Sequence, residues 1–186
     1  MASPFTIIGY AIVSADGMIA DHNAMMPNSL KFEADQRYFE DALDHVDVVV
    51  HGRHSHEGQP NSALRRRLIM TRSIPALAPD ASGATLWNPA GASLAEACAA
   101  FGLSSGIVGI LGGPVVYGLF LDSYHSFHLS RAGNVAIPGG TPVFVQTSPT
   151  RTPEETLTQS GLRAGSVETL DAANALTLVI WTRPTP

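Results

Sequence analysis

The sequence predicts an α/β domain built on a mostly parallel sheet. Short apolar runs rich in β-branched residues recur along the chain, and between them lie stretches whose apolar residues are spaced by threes and fours. Glycines close two of the runs, at Gly52 and at Gly112-Gly113, where a strand hands over to the next element. The last run, 176–182 (LTLVIWT), is the strongest, and it gives the sheet an antiparallel finish.

The first strand spans 5–13 and ends in Ser14-Ala15-Asp16-Gly17, with a loop continuing to Ser29. From 31 to 45 Ala34, Tyr38, Ala42 and Leu43 trace one helical face, and Asn28 or Ser29 is the expected cap. A short strand at 47–51 stops at Gly52, and a second helix is expected to open near His54. Strands follow at 68–71 and 84–87, separated by a Pro-, Ala- and Gly-bearing loop at 75–83. Ser93 and Glu96 have the spacing of a capping box, so a helix is expected from 93 to 101. A strand at 107–111 precedes Gly112-Gly113 and a short helix at 115–121, with Pro114 tolerated in the first turn. Strands at 126–131 and 142–146 come next, and the polar, Thr-rich stretch 147–173 reads as loop with a short turn. No internal repeat or interdomain linker interrupts this order, so 1–186 is read as one domain.

At 186 residues, 45% hydrophobic and 15% charged, the chain can bury a core without a metal or disulfide. The formal charge of −5 argues against a nucleic-acid partner, because phosphate binding by charge needs clustered Lys and Arg, and the sole cluster is Arg65-Arg66-Arg67. Cys98 is the only cysteine, which excludes an internal disulfide and a Cys-x-x-Cys zinc site. A cytoplasmic location is the expectation. The N-terminal apolar run is broken by Gly9, Ser14 and Asp16, so neither a signal peptide nor a membrane span is expected.

Three loops carry the chemistry. Gly52-Arg53-His54-Ser55 follows a strand and precedes a helical stretch, a setting in which free N–H groups and an Arg fork suit phosphate. Thr71-Arg72-Ser73 follows another strand, and Gly112-Gly113 a third, where paired glycines let a ligand approach the backbone. Open α/β sheets bind ligands at such strand ends, and together the three suggest a nucleotide. The usual Gly-x-Gly-x-x-Gly fingerprint is absent after the first strand. Asp35 is the fourth informative feature: it shares a helical face with Phe39 and Ala42, which sets a carboxylate beside an apolar stripe. Against these stand the ordinary alternatives of a tight turn, an exposed Arg and a surface acid.

The motifs, taken in order, resemble the dihydrofolate reductase superfamily, including its riboflavin-biosynthesis reductase branch, from Ile7 to about Arg183. Ser14-Ala15-Asp16-Gly17-Met18-Ile19-Ala20 is similar to the Ser-x-Asp-Gly-x-Ile-Ala of the riboflavin-type branch. Asp35 to Phe39 resembles the substrate-carboxylate helix, Gly52 to Glu57 the Gly-Arg-x-Thr-x-Glu cofactor loop, and Gly112-Gly113-Pro114-Val115-Val116-Tyr117 the Gly-Gly-x-x-x-Tyr turn. Ser130 falls where that family places a hydroxyl bonded to the substrate carboxylate.

The resemblance implies about eight strands flanked by about four helices, and NADPH as hydride donor. The cofactor would lie on Gly52, Arg53, His54 and Ser55, on Thr71, Arg72 and Ser73, and on Gly112, Gly113, Val115 and Tyr117. Asp35 and Ser130 would be the catalytic pair, acting on a small heterocycle, either dihydrofolate-like or ribosylaminopyrimidine-like. Arg65 lies one residue from where a folate-tail carboxylate would be gripped, and Met25-Met26-Pro27 stands where folate reductases carry a Trp. The zinc deaminase half of the bifunctional riboflavin enzyme needs cysteines this chain lacks, and the riboflavin-type relatives make a homodimer the expectation. Two rivals remain, a non-catalytic nucleotide-binding module and a metal site on His51, His54, His56 and Glu57. The metal reading ranks lower, because a strand end and a helix start need not converge.

Overall fold

In the computed structural model, which describes residues 3–53, 55, 61–146 and 151–185, the first half of the chain forms β1 (Phe5–Ser14), β2 (Met18–Ala20), α1 (Glu33–Leu43), β3 (Val48–Gly52), β4 (Arg67–Met70), β5 (Leu77–Pro79) and β6 (Thr85–Trp87). The second half forms α2 (Leu94–Ala99), β7 (Gly106–Ile110), α3 (Pro114–Leu119), β8 (Ser126–Ala132), β9 (Thr141–Pro142), α4 (Pro153–Gln159), β10 (Arg163–Asp171) and β11 (Leu176–Thr182). Nine strands make one sheet in the order β10-β11-β8-β1-β7-β3-β4-β6-β5, and β2 pairs with β9 outside it. The run from β8 to β6 is parallel throughout, whereas β11, β10 and β5 pair antiparallel.

β1 explains why the sheet is covered on both faces. Its side chains alternate, so Phe5, Ile7 and Val13 enter the large core, which also holds Phe127, Phe144 and the aromatic ring of Tyr117. Ile8, Tyr10 and Ile12 point the other way and meet two smaller clusters, one of them formed with Phe39, Ala42 and Leu43 of α1. A parallel sheet needs this double cover, because its crossovers return over both faces. The site follows from it: α1 lies over the face that also carries the even-numbered residues of β8.

Several elements differ from expectation. Asn28–Leu30 is a single 3-10 turn, and the cap of α1 is Phe32, whose side chain makes no capping bond. The strand expected at 142–146 shrinks to Thr141–Pro142, since it has only the three-residue β2 to pair with. The stretch 75–83 contains the short edge strand β5. Within the stretch expected as loop, 147–173, residues 147–150 lie outside the described residues, and the rest is chiefly α4 followed by the nine-residue β10. A capping box at Thr152 and Glu155, with Pro153 opening the helix, is the signal for α4. β10 lacks an apolar alternation because most of its residues are exposed; its ladder with β11 is its chief hold, and Leu170 near its end packs against a core cluster. The helix expected near His54 lies outside the described residues, as do His54, His56 and Glu57. Among the described residues, no helix is long and apolar enough to cross a membrane.

Candidate active site

A cleft of about 1060 Å3 runs between α1 and the sheet and past the carboxyl ends of β3, β4 and β7. It has two ends of different construction.

At the first end the register of β1 and β8 sets Tyr10 beside His128 and Ile12 beside Ser130. Alternation then places His128 and Ser130 on one face of β8, under α1. Asp35, in the first turn of α1, lines the cleft and is mostly withdrawn from water. That burial raises its carboxyl pKa, and a hydrogen bond from the Ser130 hydroxyl opposes the rise. The structure thus brings Asp35 and Ser130 together at this end of the cleft. Tyr38, one turn further along α1, reaches the same floor, with its Oη 2.6 Å from His128 Nδ1. The His128 ring also meets Tyr10 edge-on, with centroids 4.8 Å apart. Burial lowers the His128 pKa to about 4, so the imidazole is neutral at pH 7. The Tyr38 phenol is pushed the other way, to about 12, chiefly by its own burial.

The sequence reading missed the Tyr38–His128 pair. The signal for each half was the spacing: Tyr38 lies three positions after Asp35 on the helix, and His128 two positions before Ser130 on the strand.

The second end is made of loops. Gly52 N–H donates to the Gly112 carbonyl at 2.7 Å, which ties the turn after β3 to the turn after β7. Arg53 reaches from the β3 turn to the β4 turn, donating to Ser73 Oγ at 3.1 Å. Ser73 Oγ is in turn 2.9 Å from the Thr71 hydroxyl. Arg72 stands beside them on the cleft wall, exposed. The structure thus gathers Gly52, Arg53, Ser55, Thr71, Arg72, Ser73, Gly112 and Gly113 into one neighbourhood, although Ser73 and Gly112 are not themselves cleft-lining.

The glycine pair divides its labour. Gly112 has φ +100°, and a Cβ there would stand 2.5 Å from the Tyr117 ring. Its reason for being glycine is internal. Gly113 has no such constraint: a Cβ there would meet nothing nearer than Ser55 Oγ, at 3.9 Å, and would project into free space. The Gly113 N–H is engaged by Ser55 Oγ at 3.1 Å, and α3 is only six residues long, so a free helix N-terminus does not contribute here.

Val115 is exposed on α3 and lines the cleft. Tyr117 borders the cleft but is otherwise a core residue, its hydroxyl donating to the Tyr10 carbonyl at 2.5 Å. The Ser14–Ala20 motif divides in the same way. Ile19 and Ala20 line the cleft, whereas Ser14 and Asp16 build a turn: Ser14 Oγ lies 2.5 Å from Asp16 Oδ1 and accepts from Met18 N–H at 3.0 Å. Asp16 also accepts the Ile137 N–H, and Arg131 donates to the carbonyls of Ser14 and Ala15 and pairs with Glu154. No group of three or more His, Cys, Asp or Glu positioned for a metal occurs among the described residues. Arg65 pairs with Asp44 at 3.0 Å, away from the cleft.

No family model and no curated protein matches the sequence. Solved structures do match. A riboflavin biosynthesis protein from Shewanella sp. PV-4 aligns with a TM-score of 0.64 and 18% identity over 97% of this chain and 99% of that one. Dihydrofolate reductase from Enterococcus faecalis, complexed with NADP(H) and RAB-propyl, aligns with a TM-score of 0.65 and 16% identity over 99% of both chains. A diaminohydroxyphosphoribosylaminopyrimidine deaminase/5-amino-6-(5-phosphoribosylamino)uracil reductase from Thermotoga maritima aligns with a TM-score of 0.63 and 15% identity, over 96% of this chain but 56% of its own length. Matched from end to end in this way, a sheet whose parallel centre carries the cleft and whose last two strands return antiparallel gives the chain the dihydrofolate reductase-like fold.

Proposed function

We propose that this protein is a reductase that passes a hydride from NADPH to a flat, nitrogen-containing ring of the pteridine or aminopyrimidine kind. The observation that carries the reading is Asp35, a carboxylate partly withdrawn from water, facing a cleft whose other end is a set of glycine, hydroxyl and Arg loops.

The residues present suit a dinucleotide. The space beside Gly113 that a Cβ would fill is left free, and Arg53, Thr71 and Arg72 offer donors along the adjoining wall. When bound, the reduced nicotinamide supplies the hydride. This chain's residues supply placement and charge. Asp35 accepts hydrogen bonds from a ring nitrogen and its neighbouring amino group, and its negative charge favours the protonated, electrophilic ring. Pairing offsets the cost of holding the charge away from water. Ser130 holds the carboxylate rotamer. The α1 face around Phe39 keeps water from the ring.

The test is loss of reduced-nicotinamide absorbance when purified protein is mixed with NADPH and either a dihydropteridine or a ribosylaminopyrimidine. Turnover with one of them is the expected result. Tight NADPH binding with neither ring bound nor reduced would leave a nucleotide-binding module, and failure to bind NADPH would remove the reading altogether.

A further inference from the structure

Hydrogens and lone pairs are distributed unevenly around Asp35. The Ser130 hydroxyl gives its hydrogen to the Asp35 carboxylate. Tyr38 and His128 both line the cleft beside them, with Tyr38 Oη 2.6 Å from His128 Nδ1. Which of the two donates follows from their chemistry. The imidazole is neutral and so carries a single N–H, and a phenol gives up its hydrogen more readily than a neutral imidazole does. The separation is also short for an N–H donor and ordinary for an O–H donor. Tyr38 therefore donates to Nδ1, and the imidazole hydrogen sits on Nε2, which lies 3.4 Å from Ser126 Oγ.

The surroundings hold this arrangement. Tyr10 packs edge-on against the His128 ring, and Ser126 meets its far nitrogen. Burial, and then the negative charges of Glu168 on β10 and of Asp35, keep the Tyr38 phenol protonated. With its hydrogen turned to His128, Tyr38 has only oxygen lone pairs left for a ligand. Asp35 and Tyr38, one turn apart on α1, thus both present acceptors to the cleft. A ring carbonyl or unprotonated ring nitrogen facing Tyr38 would meet lone pairs with lone pairs, whereas an N–H there finds its partner.

We propose that Tyr38 is a specificity-determining residue of this site: held by His128 as a fixed hydrogen-bond acceptor, it selects a ring that carries a further N–H or amino donor beside the pair taken by Asp35. This rests on the reductase reading above and narrows its substrate class.

The test is equilibrium binding to the NADPH-saturated protein, by NMR shift titration, of three 2-amino-4-oxopyrimidines that differ at position 6: hydrogen, methyl and amino. Methyl and amino are close in size, so the donor is the main difference between them. The amino probe should bind about 10-fold tighter than the methyl probe, as expected for one hydrogen bond in a site that leaves its acceptor unpaired otherwise. In Tyr38→Phe the amino-to-methyl affinity ratio should fall toward one. His128→Leu should lower the same ratio, because Tyr38 can then turn its hydrogen into the cleft; lost packing alone would weaken all three probes together and leave the ratio in place. An amino probe with no advantage over methyl in the parent protein, or either variant keeping the full advantage, overturns the proposal while leaving the reductase reading standing. Binding of none of the three removes the heterocycle reading and the proposal with it.

Discussion

The Asp35 end and the loop end of the cleft solve the problem of holding a ligand with different materials. At the first, four polar side chains sit on regular elements, α1 and β8, packed well enough to move the protonation of Asp35, Tyr38 and His128. At the second, exposed loops contribute backbone, hydroxyls and two Arg side chains whose charge is already in water. Buried groups gain chemical character from their surroundings, whereas exposed ones contribute attraction that solvent and salt dilute. Substitutions at the first end should therefore alter turnover and pH behaviour, and those at the second end cofactor affinity.

Asp35→Asn is the sharpest way to break that division. It should lower turnover by about 10²–10³-fold with NADPH affinity unchanged, measured by steady-state kinetics and by cofactor titration. The same variant should melt at a higher temperature than the parent at pH 7. A carboxyl whose folded pKa is raised costs the folded state stability above that pKa, and the cost is relieved as pH falls through it. The gain should accordingly vanish in acid. Asp35→Asn that loses NADPH affinity as well would mean the two ends are one site.

His128 should titrate with the opposite sign. Its folded pKa is depressed from 6.5 to about 4, so its contribution to stability is complete above 6.5 and is lost as pH falls toward 4. At ~1.4 kcal/mol per unit this is about 3 kcal/mol. Denaturant midpoints of His128→Gln should be flatter than the parent's across that window, and matching curves would place the imidazole in contact with water.

The glycines test the comparison within a single dipeptide. Gly112→Ala should cost about 2 kcal/mol of stability, from its positive φ and the Tyr117 ring, measured by chemical denaturation. Gly113→Ala should keep the parent's stability and lose cofactor affinity. If the two variants behave alike, the space beside Gly113 is not a ligand's.

The smallest effect belongs to the exposed charges. Arg53→Ala or Arg72→Ala should weaken NADPH about 10-fold and leave NADH nearly unchanged, in line with a solvent-screened charge-assisted hydrogen bond. Equal affinity of the parent protein for both cofactors would take the 2′-phosphate out of the account.

Which parts could be read from the sequence follows the same line. The parallel strands were legible because both faces are buried and the residues run apolar without a break, as in Val48-Val49-Val50. The loops at Gly52, Thr71 and Gly112 were legible because glycine and hydroxyl residues punctuate strand ends. β10 was not, since a strand held chiefly by its ladder, with burial only at its far end where Leu170 meets a core cluster, leaves no pattern of burial. The Tyr38–His128 pair was legible only in halves: each residue shares a face with an expected site residue, but the sequence carries nothing of the register that joins two positions 90 apart. Asp16 was half legible: the motif was visible, but its carboxylate is occupied with Ile137 rather than with the cleft.

The sheet's two outer strands bear on how the protein behaves in a crowded solution. An open strand edge is a template on which another chain can add, and both edges here are blunted. β5 is three residues long and ends in Pro79, which has no N–H to offer. β10 is long but shifts register twice along β11, and each shift turns the strand and interrupts its line of free donors and acceptors. An incoming strand can match only the short stretch between the shifts, where Glu168 adds a charge. Straightening β10 by deleting a bulge residue should reopen that edge to an incoming strand and favour self-association.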